Sequence, residues 1–168
     1  MLWHIFVPII AFLGFIVGVI FTRLCAEEIK PGKKYFDIIQ KCLIFIIAVL
    51  IFYFSGFNII FLIGGFLLGW FLAFDFFYLG LALAVCFYIS KTFIFIISSL
   101  IFVWGLPKGS LVGWNRRIIL RSFSMFFLPF VILLMPPYIN PKIFLALCSG
   151  LLLGGLFKDL HSFFSRRK

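Results

Sequence analysis

Three short basic segments separated by long apolar stretches dominate this sequence of 168 residues. Thirteen of its fifteen Lys and Arg residues lie in these segments, which we call the basic islands: 23–41, 108–121 and 158–168. Because a cationic side chain is costly to place in hydrocarbon, clustered cations mark the ends of apolar segments rather than their centres. The pattern predicts a chain that crosses a lipid bilayer several times and keeps its basic islands on one face.

Composition excludes an ordinary soluble domain. The chain is 65% hydrophobic and 12% charged, with a mean hydropathy of +1.26, whereas about a quarter of the residues in soluble domains are charged. The apolar stretches lack the polar–apolar alternation of a membrane β-barrel. Helices and closed barrels are the two structures that satisfy every backbone N–H and C=O group in lipid, so helices remain. We predict an all-α, polytopic transmembrane helical bundle that forms a single integral membrane domain over residues 1–168.

The apolar stretches divide into seven short predicted spans. They cover roughly 2–24, 38–55, 57–74, 76–90, 92–106, 118–136 and 142–157, followed by an amphipathic C-terminal tail, 158–168. The alternative has six spans, with one tilted helix that runs across Lys91. Seven spans place all three basic islands on one face, which the positive-inside rule favours. The N-terminus is then outside and the C-terminus inside, and we expect the plasma membrane of a prokaryote with cytoplasmic basic loops.

Three Gly-x-x-x-Gly pairs lie on three different predicted spans. They are Gly14 and Gly18, Gly65 and Gly69, and Gly150 and Gly154. Two glycines one turn apart open a groove that lets another helix approach closely. We expect these pairs to pack helices within the bundle. The alternative is that one of them forms the interface of a homo- or hetero-oligomer.

Asp75 is the most informative single residue, because it lies between two apolar spans. A carboxylate at depth in a membrane indicates a functional site, whereas at the inner face it would be a turn residue. The seven-span arrangement places Asp37 on the same face, and two facing carboxylates that share a proton can activate water for peptide hydrolysis. Intramembrane aspartyl peptidases carry Gly-x-Gly-Asp, but here Leu72-Ala73-Phe74 precedes the aspartate. This enzyme class is therefore an alternative hypothesis only.

The first basic island also contains most of the acids, since Glu27, Glu28 and Asp37 are three of the five. A catalytic interpretation would use these carboxylates to hold Mg²⁺ beside a lipid phosphate bound by Lys33 and Lys34. Adjacent glutamates on a helix point about 100° apart, which makes it difficult for both to bind one metal ion. We expect instead a solvated loop at the membrane interface, and we predict no metal and no cofactor.

The second basic island joins glycine, hydroxyl and amide groups with Lys108, Arg116, Arg117 and Arg121. Arginine forks and free backbone N–H groups suit phosphate, so we expect this predicted loop to contact membrane lipids through their anionic headgroups at the inner face. Its glycines do not have the spacing of a P-loop. The net charge of +10 does not predict a nucleic-acid partner, because the cations lie at span ends rather than along one folded surface.

No catalytic triad, metal-binding motif or nucleotide-binding loop is evident in the sequence. The leading interpretation is a small multi-pass integral membrane protein without its own catalytic centre. It would act as a scaffold or assembly subunit, or as a small carrier or permeation module. The alternative is a membrane-embedded enzyme that acts on lipid phosphates or, as the less favoured enzyme, on peptides.

Overall fold

A computed structural model describes residues 3–72, 74–132 and 140–165, and within them the chain forms seven α-helices and no strand. The helices are α1 (Trp3–Leu24), α2 (Ala26–Phe54), α3 (Ile59–Phe71), α4 (Asp75–Cys86), α5 (Lys91–Val112), α6 (Arg116–Ile132) and α7 (Pro141–Ser165). The predicted all-α helical bundle is confirmed. The end of the predicted span 118–136 and the last residues of the predicted tail, 166–168, lie outside the described residues.

Four of these helices are long and apolar enough to cross a membrane. The segments are Phe6–Leu24, Pro31–Phe54, Lys91–Val112 and Pro141–Phe163. The apolar helices α3 and α4 have only 13 and 12 residues, which at 1.5 Å per residue makes them shorter than the roughly 30 Å of a hydrocarbon core. Many large apolar side chains on the outside of the bundle are exposed, including Ile60, Leu67 and Phe71. Such a surface is suited to lipid, which is as apolar as these side chains.

The apolar stretch around Lys91 forms two helices, so the single tilted helix of the six-span alternative is wrong, and the number of membrane crossings stays a prediction. Helix α4 ends at Cys86 and α5 begins at Lys91. The two helices run antiparallel, because Phe76 at the start of α4 packs on Trp104 near the end of α5, with ring centroids 5.2 Å apart. A polar residue in an otherwise apolar stretch therefore marks a turn between helices here.

Both loops predicted from the basic islands are largely helical, and those predictions were wrong. Helix α2 already begins at Ala26 and contains Pro31, while α5 continues through Pro107 to Val112. Inside a bundle, hydroxyl groups and neighbouring helices can satisfy the backbone groups that a proline frees. In α5, Pro107 lacks the N–H that would bond the carbonyl of Val103, yet the helix continues to Val112. The hydroxyl of Ser110 adds a bond to the carbonyl oxygen of Leu106 at 2.9 Å. Proline was therefore a weaker helix terminator than expected.

Helices α1 and α5 are parallel and pack at backbone distance. A Cβ added at Gly14 would overlap the carbonyl of Phe102, and one added at Gly18 would overlap the carbonyl of Leu106. The partner numbers rise together along the two helices, which shows that they run in the same direction. Each glycine replaces a contact between side chains with a contact between backbones.

Helices α3 and α7 form a second parallel pair of the same kind. The overlapping partners there are Gly65 with Leu147, Gly69 with Leu151, Gly150 with Leu62, and Gly154 with Phe66. All three predicted Gly-x-x-x-Gly faces are thus covered by helices of the same chain. An oligomer interface through one of these faces stays a prediction.

Helix α4 lies at the centre, in contact with α5, α6 and α7. Every residue in 78–86 is buried, and the buried core extends from it to α1, α2, α5 and α7. Gly80 allows α6 to lie directly on α4, because a Cβ there would overlap the carbonyl of Phe126. The first residue of this central helix, Asp75, is therefore held at one end of the bundle.

Residues from all three basic islands meet at that end, which we call the basic end. The guanidinium of Arg23 lies 5.6 Å from the centroid of the Trp114 ring, which joins the first island to the second. Lys41 Nζ lies 4.8 Å from the ring centroid of Phe163, which joins the first to the third. Lys158 Nζ donates to the carbonyl oxygen of Phe71 at 3.0 Å. This bond satisfies an orphan carbonyl in the last turn of α3.

Candidate functional site at the basic end

A pocket of about 300 Å³ opens at the basic end between α4, α5 and α6. Its polar lining consists of Asp75, Lys108, Arg121 and Ser122, and its apolar lining includes Phe74, Phe77, Ile118 and Met125. A few convergent polar groups set into an apolar wall are the usual composition of a ligand pocket. Residues from the second basic island and Asp75, singled out separately in the sequence, are thus brought together here.

The centre of the pocket's polar side is an ion pair between α4 and α5. Lys108 Nζ lies 2.9 Å from Oδ2 of Asp75, and the two side chains are 21% and 16% exposed, respectively. Lys108 also lies 5.7 Å from the ring centroid of Trp104, which places its charge near an aromatic face. As the first residue of α4, Asp75 has its carboxylate at the positive end of the helix dipole.

The start of α4 is held in place by its neighbours. The hydroxyl of Tyr78 donates to the carbonyl oxygen of Leu72, at the end of α3. Phe76 packs against Phe15 of α1, with ring centroids 4.8 Å apart, and against Trp104 of α5. These contacts leave the carboxylate of Asp75 little freedom to move away from α5.

Helix α6 supplies the second cation of the pocket. Its contact with Gly80 brings Arg121 and the buried Ser122 to the pocket, about one helical turn before Phe126. Arg121 is exposed and takes part in neither of the two ion pairs found among the described residues. Its guanidinium is therefore available to a ligand.

The start of α6 also carries uncompensated positive charge. Arg116 and Arg117 are exposed in its first turn, where no acid is present. Cations are disfavoured at the positive end of a helix dipole. The side chain of Asn115 caps this end by accepting a hydrogen bond from the backbone N–H of Arg117 at 3.1 Å. Anionic groups from outside the chain would relieve the remaining charge.

Asp37 forms its own ion pair, apart from Asp75. Its Oδ2 lies 2.6 Å from Nζ of Lys41, one turn later on α2. The structure therefore brings Asp37 and Asp75 to the same end of the bundle but pairs each carboxylate with a lysine rather than with the other. Lys41 was not among the candidate residues, although the Asp-x-x-x-Lys spacing in the sequence favours such a pair.

Asp159 is a third aspartate at the basic end, and sequence reasoning missed it. It lies on α7 within electrostatic range of Asp75 and Lys108. One turn earlier, a Cβ added at Gly155 would lie 3.8 Å from Oδ1 of Asp75. Because residues 158–168 were assigned to a surface tail, the continuation of α7 through this position was not expected. The Gly-x-x-x-Asp spacing was the signal available in the sequence.

The remaining candidates of the first island lie on α2, away from the pocket lining. Glu27, Lys33 and Lys34 are exposed, while the side chain of Glu28 lies outside the described part of the structure. Within that part, no three His, Cys, Asp or Glu side chains are grouped as a metal site would require. The lipid contacts predicted for Lys33 and Lys34 stay predictions.

The position of α5 depends on a fourth Gly-x-x-x-Gly pair that sequence reasoning overlooked. A Cβ at Gly105 or Gly109 would overlap the backbone of Phe15 in α1. Near the end of both helices, Thr22 Oγ1 donates to the carbonyl oxygen of Ser110 at 3.0 Å. The spacing was visible in the sequence, but it was hidden by the assumption that the span ends before Pro107.

Comparison with known proteins adds no family to this geometry. The chain matches no protein-family model, no curated protein and no solved structure. Function has to be inferred from the pocket itself, which combines one ion pair, one unpaired guanidinium and one buried serine with aromatic walls.

Proposed function

We propose that this protein binds the phosphate-bearing headgroup of an anionic membrane lipid in the pocket between α4, α5 and α6. It holds the lipid rather than transforming it, as a lipid-dependent assembly subunit or a small carrier would. The observation that carries the proposal is the convergence of Lys108 and Arg121 on one pocket at the basic end. Two cations from different helices create a phosphate site that neither helix offers alone.

The donor groups of the pocket suit phosphate. Arginine presents a planar fork of N–H donors that matches phosphate oxygens, and lysine adds a compact point charge. Arg121 is free of ion pairs among the described side chains, whereas Lys108 shares its ammonium with Asp75. A lysine has three donors, so the ion pair leaves two for a ligand.

The apolar side of the pocket suits the rest of a lipid. Phe74 and Ile118 line it and are 37% and 41% exposed, so the wall continues onto the outer surface of the bundle. A lipid could place its phosphate on the cations and its glycerol and chains along this wall. A water-soluble phosphate compound would leave the same apolar surface uncovered.

The arrangement of carboxylates supports binding over peptide hydrolysis. A catalytic aspartate dyad needs two carboxyl groups close enough to share a proton. Here Asp75 is paired with Lys108 and Asp37 with Lys41. We infer on charge grounds that the basic end faces the cytoplasm, where anionic lipids attract basic segments.

The test compares two arginines of the same helix. We would purify the wild type, Arg121→Gln and Arg117→Gln in mild detergent and measure retention of anionic phospholipid by native mass spectrometry. Loss of a charged hydrogen bond should weaken lipid binding by about tenfold or more in Arg121→Gln. Arg117→Gln removes the same charge outside the pocket lining and should change binding by less than about threefold.

Equal losses in the two variants would show that a diffuse basic surface, not the pocket, attracts lipid. Unchanged binding in Arg121→Gln would remove the pocket as the site. Folded yield and helix content, measured by size-exclusion chromatography and circular dichroism, ensure that both variants are compared as folded proteins.

A further inference from the structure

Resting on the proposed function, we infer that the pocket selects a singly charged phosphodiester over a doubly charged phosphomonoester. This selectivity comes from Asp75, the acid in the pocket. Asp75 lies among the groups that would bind phosphate, although an anion site without selectivity would have no use for a carboxylate. Its presence limits the negative charge that the pocket accepts.

The formal charges of the pocket lining define that limit. Lys108 and Arg121 contribute two positive charges and Asp75 one negative charge, which leaves a net charge of +1. A phosphodiester carries one negative charge and is matched by this lining. A phosphomonoester carries about −1.5 to −2 at pH 7 and exceeds it.

The free cations at the start of α6, Arg116 and Arg117, are exposed and lie outside the pocket lining, where water and salt screen their charge. From α7, Asp159 brings another carboxylate within electrostatic range of Asp75 and Lys108. From α2, Lys41 is engaged with Asp37 at 2.6 Å. Within the lining itself, the net charge therefore stays at +1.

The short distance between Lys108 and Asp75 places the carboxylate next to the position where a phosphate oxygen would bind. Because Lys108 Nζ is 2.9 Å from Oδ2 of Asp75, a phosphate oxygen that binds this ammonium must come close to the carboxylate. A diester can turn an uncharged ester oxygen toward Asp75, and its second substituent can extend along Phe77 or Ile118. A monoester spreads a larger charge over three of its four oxygens, and its one ester oxygen carries its only substituent, so a charged oxygen faces Asp75 more often. Juxtaposed like charges are a common means of rejecting a wrong ligand.

The test uses two lipids with identical acyl chains in a phosphatidylcholine background. Phosphatidylglycerol is the phosphodiester and phosphatidic acid the phosphomonoester, and native mass spectrometry of the protein released from mixed nanodiscs counts the lipids bound. We expect the wild type to prefer the diester by about tenfold. Asp75→Asn should reduce this preference at least fivefold by raising the net charge of the lining. Asp37→Asn removes a carboxylate at the same end but outside the lining, and the preference should remain.

Equal or tighter binding of phosphatidic acid by the wild type would overturn the inference while leaving the proposed function intact. Binding of neither anionic lipid above the phosphatidylcholine background would overturn the proposed function itself. If Asp75→Asn does not fold, the preference of the wild type alone still decides between these outcomes.

A soluble competitor distinguishes two sources of the same chemistry. Displacement of phosphatidylglycerol by glycerophosphoglycerol would support recognition of the phosphodiester group by itself. Selective lipid binding without displacement would support a membrane lipid as the occupant, held also by its chains.

Discussion

At the residue scale, the basic end depends on charges that are paired across the fold. Asp75 and Lys108 are separated by 33 positions in the chain, so no local spacing links them. The sequence singled out each residue, one as an acid between spans and the other as a cation of a basic island. Their partnership requires the antiparallel packing of α4 on α5, which no local pattern specifies.

The ion pair between Asp75 and Lys108 should contribute measurably to stability, because it is mostly buried. A double-mutant cycle with Asp75→Asn and Lys108→Gln should give a coupling free energy of about 1–3 kcal/mol. Removing one partner leaves the other as an uncompensated, partly buried charge. The double variant should therefore lose less stability than the sum of the losses in the two single variants. Unfolding in sodium dodecyl sulfate, followed by circular dichroism, measures this coupling.

The pair of Asp37 and Lys41 is the matched control for this cycle. It joins two residues one turn apart on α2, and the Asp37 side chain is 35% exposed. Pairs of this kind are worth about 0.2–0.5 kcal/mol. The two pairs differ in the exposure of the carboxylate, which is 16% for Asp75 and 35% for Asp37. A coupling free energy as large as that of Asp75 and Lys108 would contradict the prediction that this difference matters.

At the element scale, glycines decide which helices lie together. Two parallel pairs, α1 with α5 and α3 with α7, approach at backbone distance at four Gly-x-x-x-Gly pairs. The spacing is present in the sequence at each of them and was singled out at three, but the partner helices could not be read from it. A glycine groove indicates that some helix packs closely there, but the rest of the fold determines which helix it is.

Adjacent glycines of α3 provide a sharp test of this packing. A Cβ added at Gly65 would overlap the carbonyl of Leu147, whereas nothing lies within 4 Å of a Cβ added at Gly64. We expect Gly65→Ala to destabilise the protein by about 1–3 kcal/mol, the usual range for overpacking. Gly64→Ala should be neutral or stabilise it by about 0.5–1 kcal/mol, because alanine is the better helix former.

The free energy of unfolding of both variants can be measured in the same detergent titration. If Gly64→Ala is as harmful as Gly65→Ala, helix propensity or lipid contact rather than helix packing governs these positions. Loss of the α3–α7 contact should also expose the end of α3, where Lys158 now bonds the carbonyl of Phe71.

At the scale of the whole molecule, the relative directions of the helices are consistent with the seven-span topology that the distribution of charge favours. If α1 and α5 both cross the membrane and run parallel, an odd number of crossings must separate them. The same holds for α3 and α7. Seven crossings, with the basic islands together, satisfy both conditions, although α3 and α4 are short for a bilayer of ordinary thickness.

Cysteine labelling tests this threading directly. After replacement of the four native cysteines, single cysteines at Tyr35, Asn115 and Ser90 would be exposed to a membrane-impermeant maleimide in intact cells and in inverted vesicles. All three positions are exposed. We expect Tyr35→Cys and Asn115→Cys to react from one side and Ser90→Cys from the other. Ile63→Cys, on the outward face of α3, should resist labelling from both sides.

Labelling of Tyr35→Cys and Asn115→Cys from opposite sides would contradict the parallel arrangement of α1 and α5. Labelling of all three positions from one side would show that α5, which connects Ser90 to Asn115, does not cross the membrane. In either case the pocket would have to be placed differently with respect to the lipid headgroups.

The lipid environment and the class of fold could be predicted from the amino-acid sequence alone. Its long apolar stretches are suited to lipid, and in lipid the backbone groups must bond to one another, which favours helices. The clustered cations indicate where the chain leaves the hydrocarbon. These conclusions depend on composition and local order, which the sequence contains in full. Even the turn at Lys91 followed from local polarity.

Only the tertiary structure decided the contents of the site. Arg121 lines the same pocket as Asp75 and Lys108 because α6 rests on Gly80 of α4 and α5 rests on α1. Asp159 joins them because α7 continues past its apolar segment. The physical reason is that, in lipid, any apolar helix face can contact either acyl chains or another helix at similar cost, so close packing rather than hydropathy selects the partners.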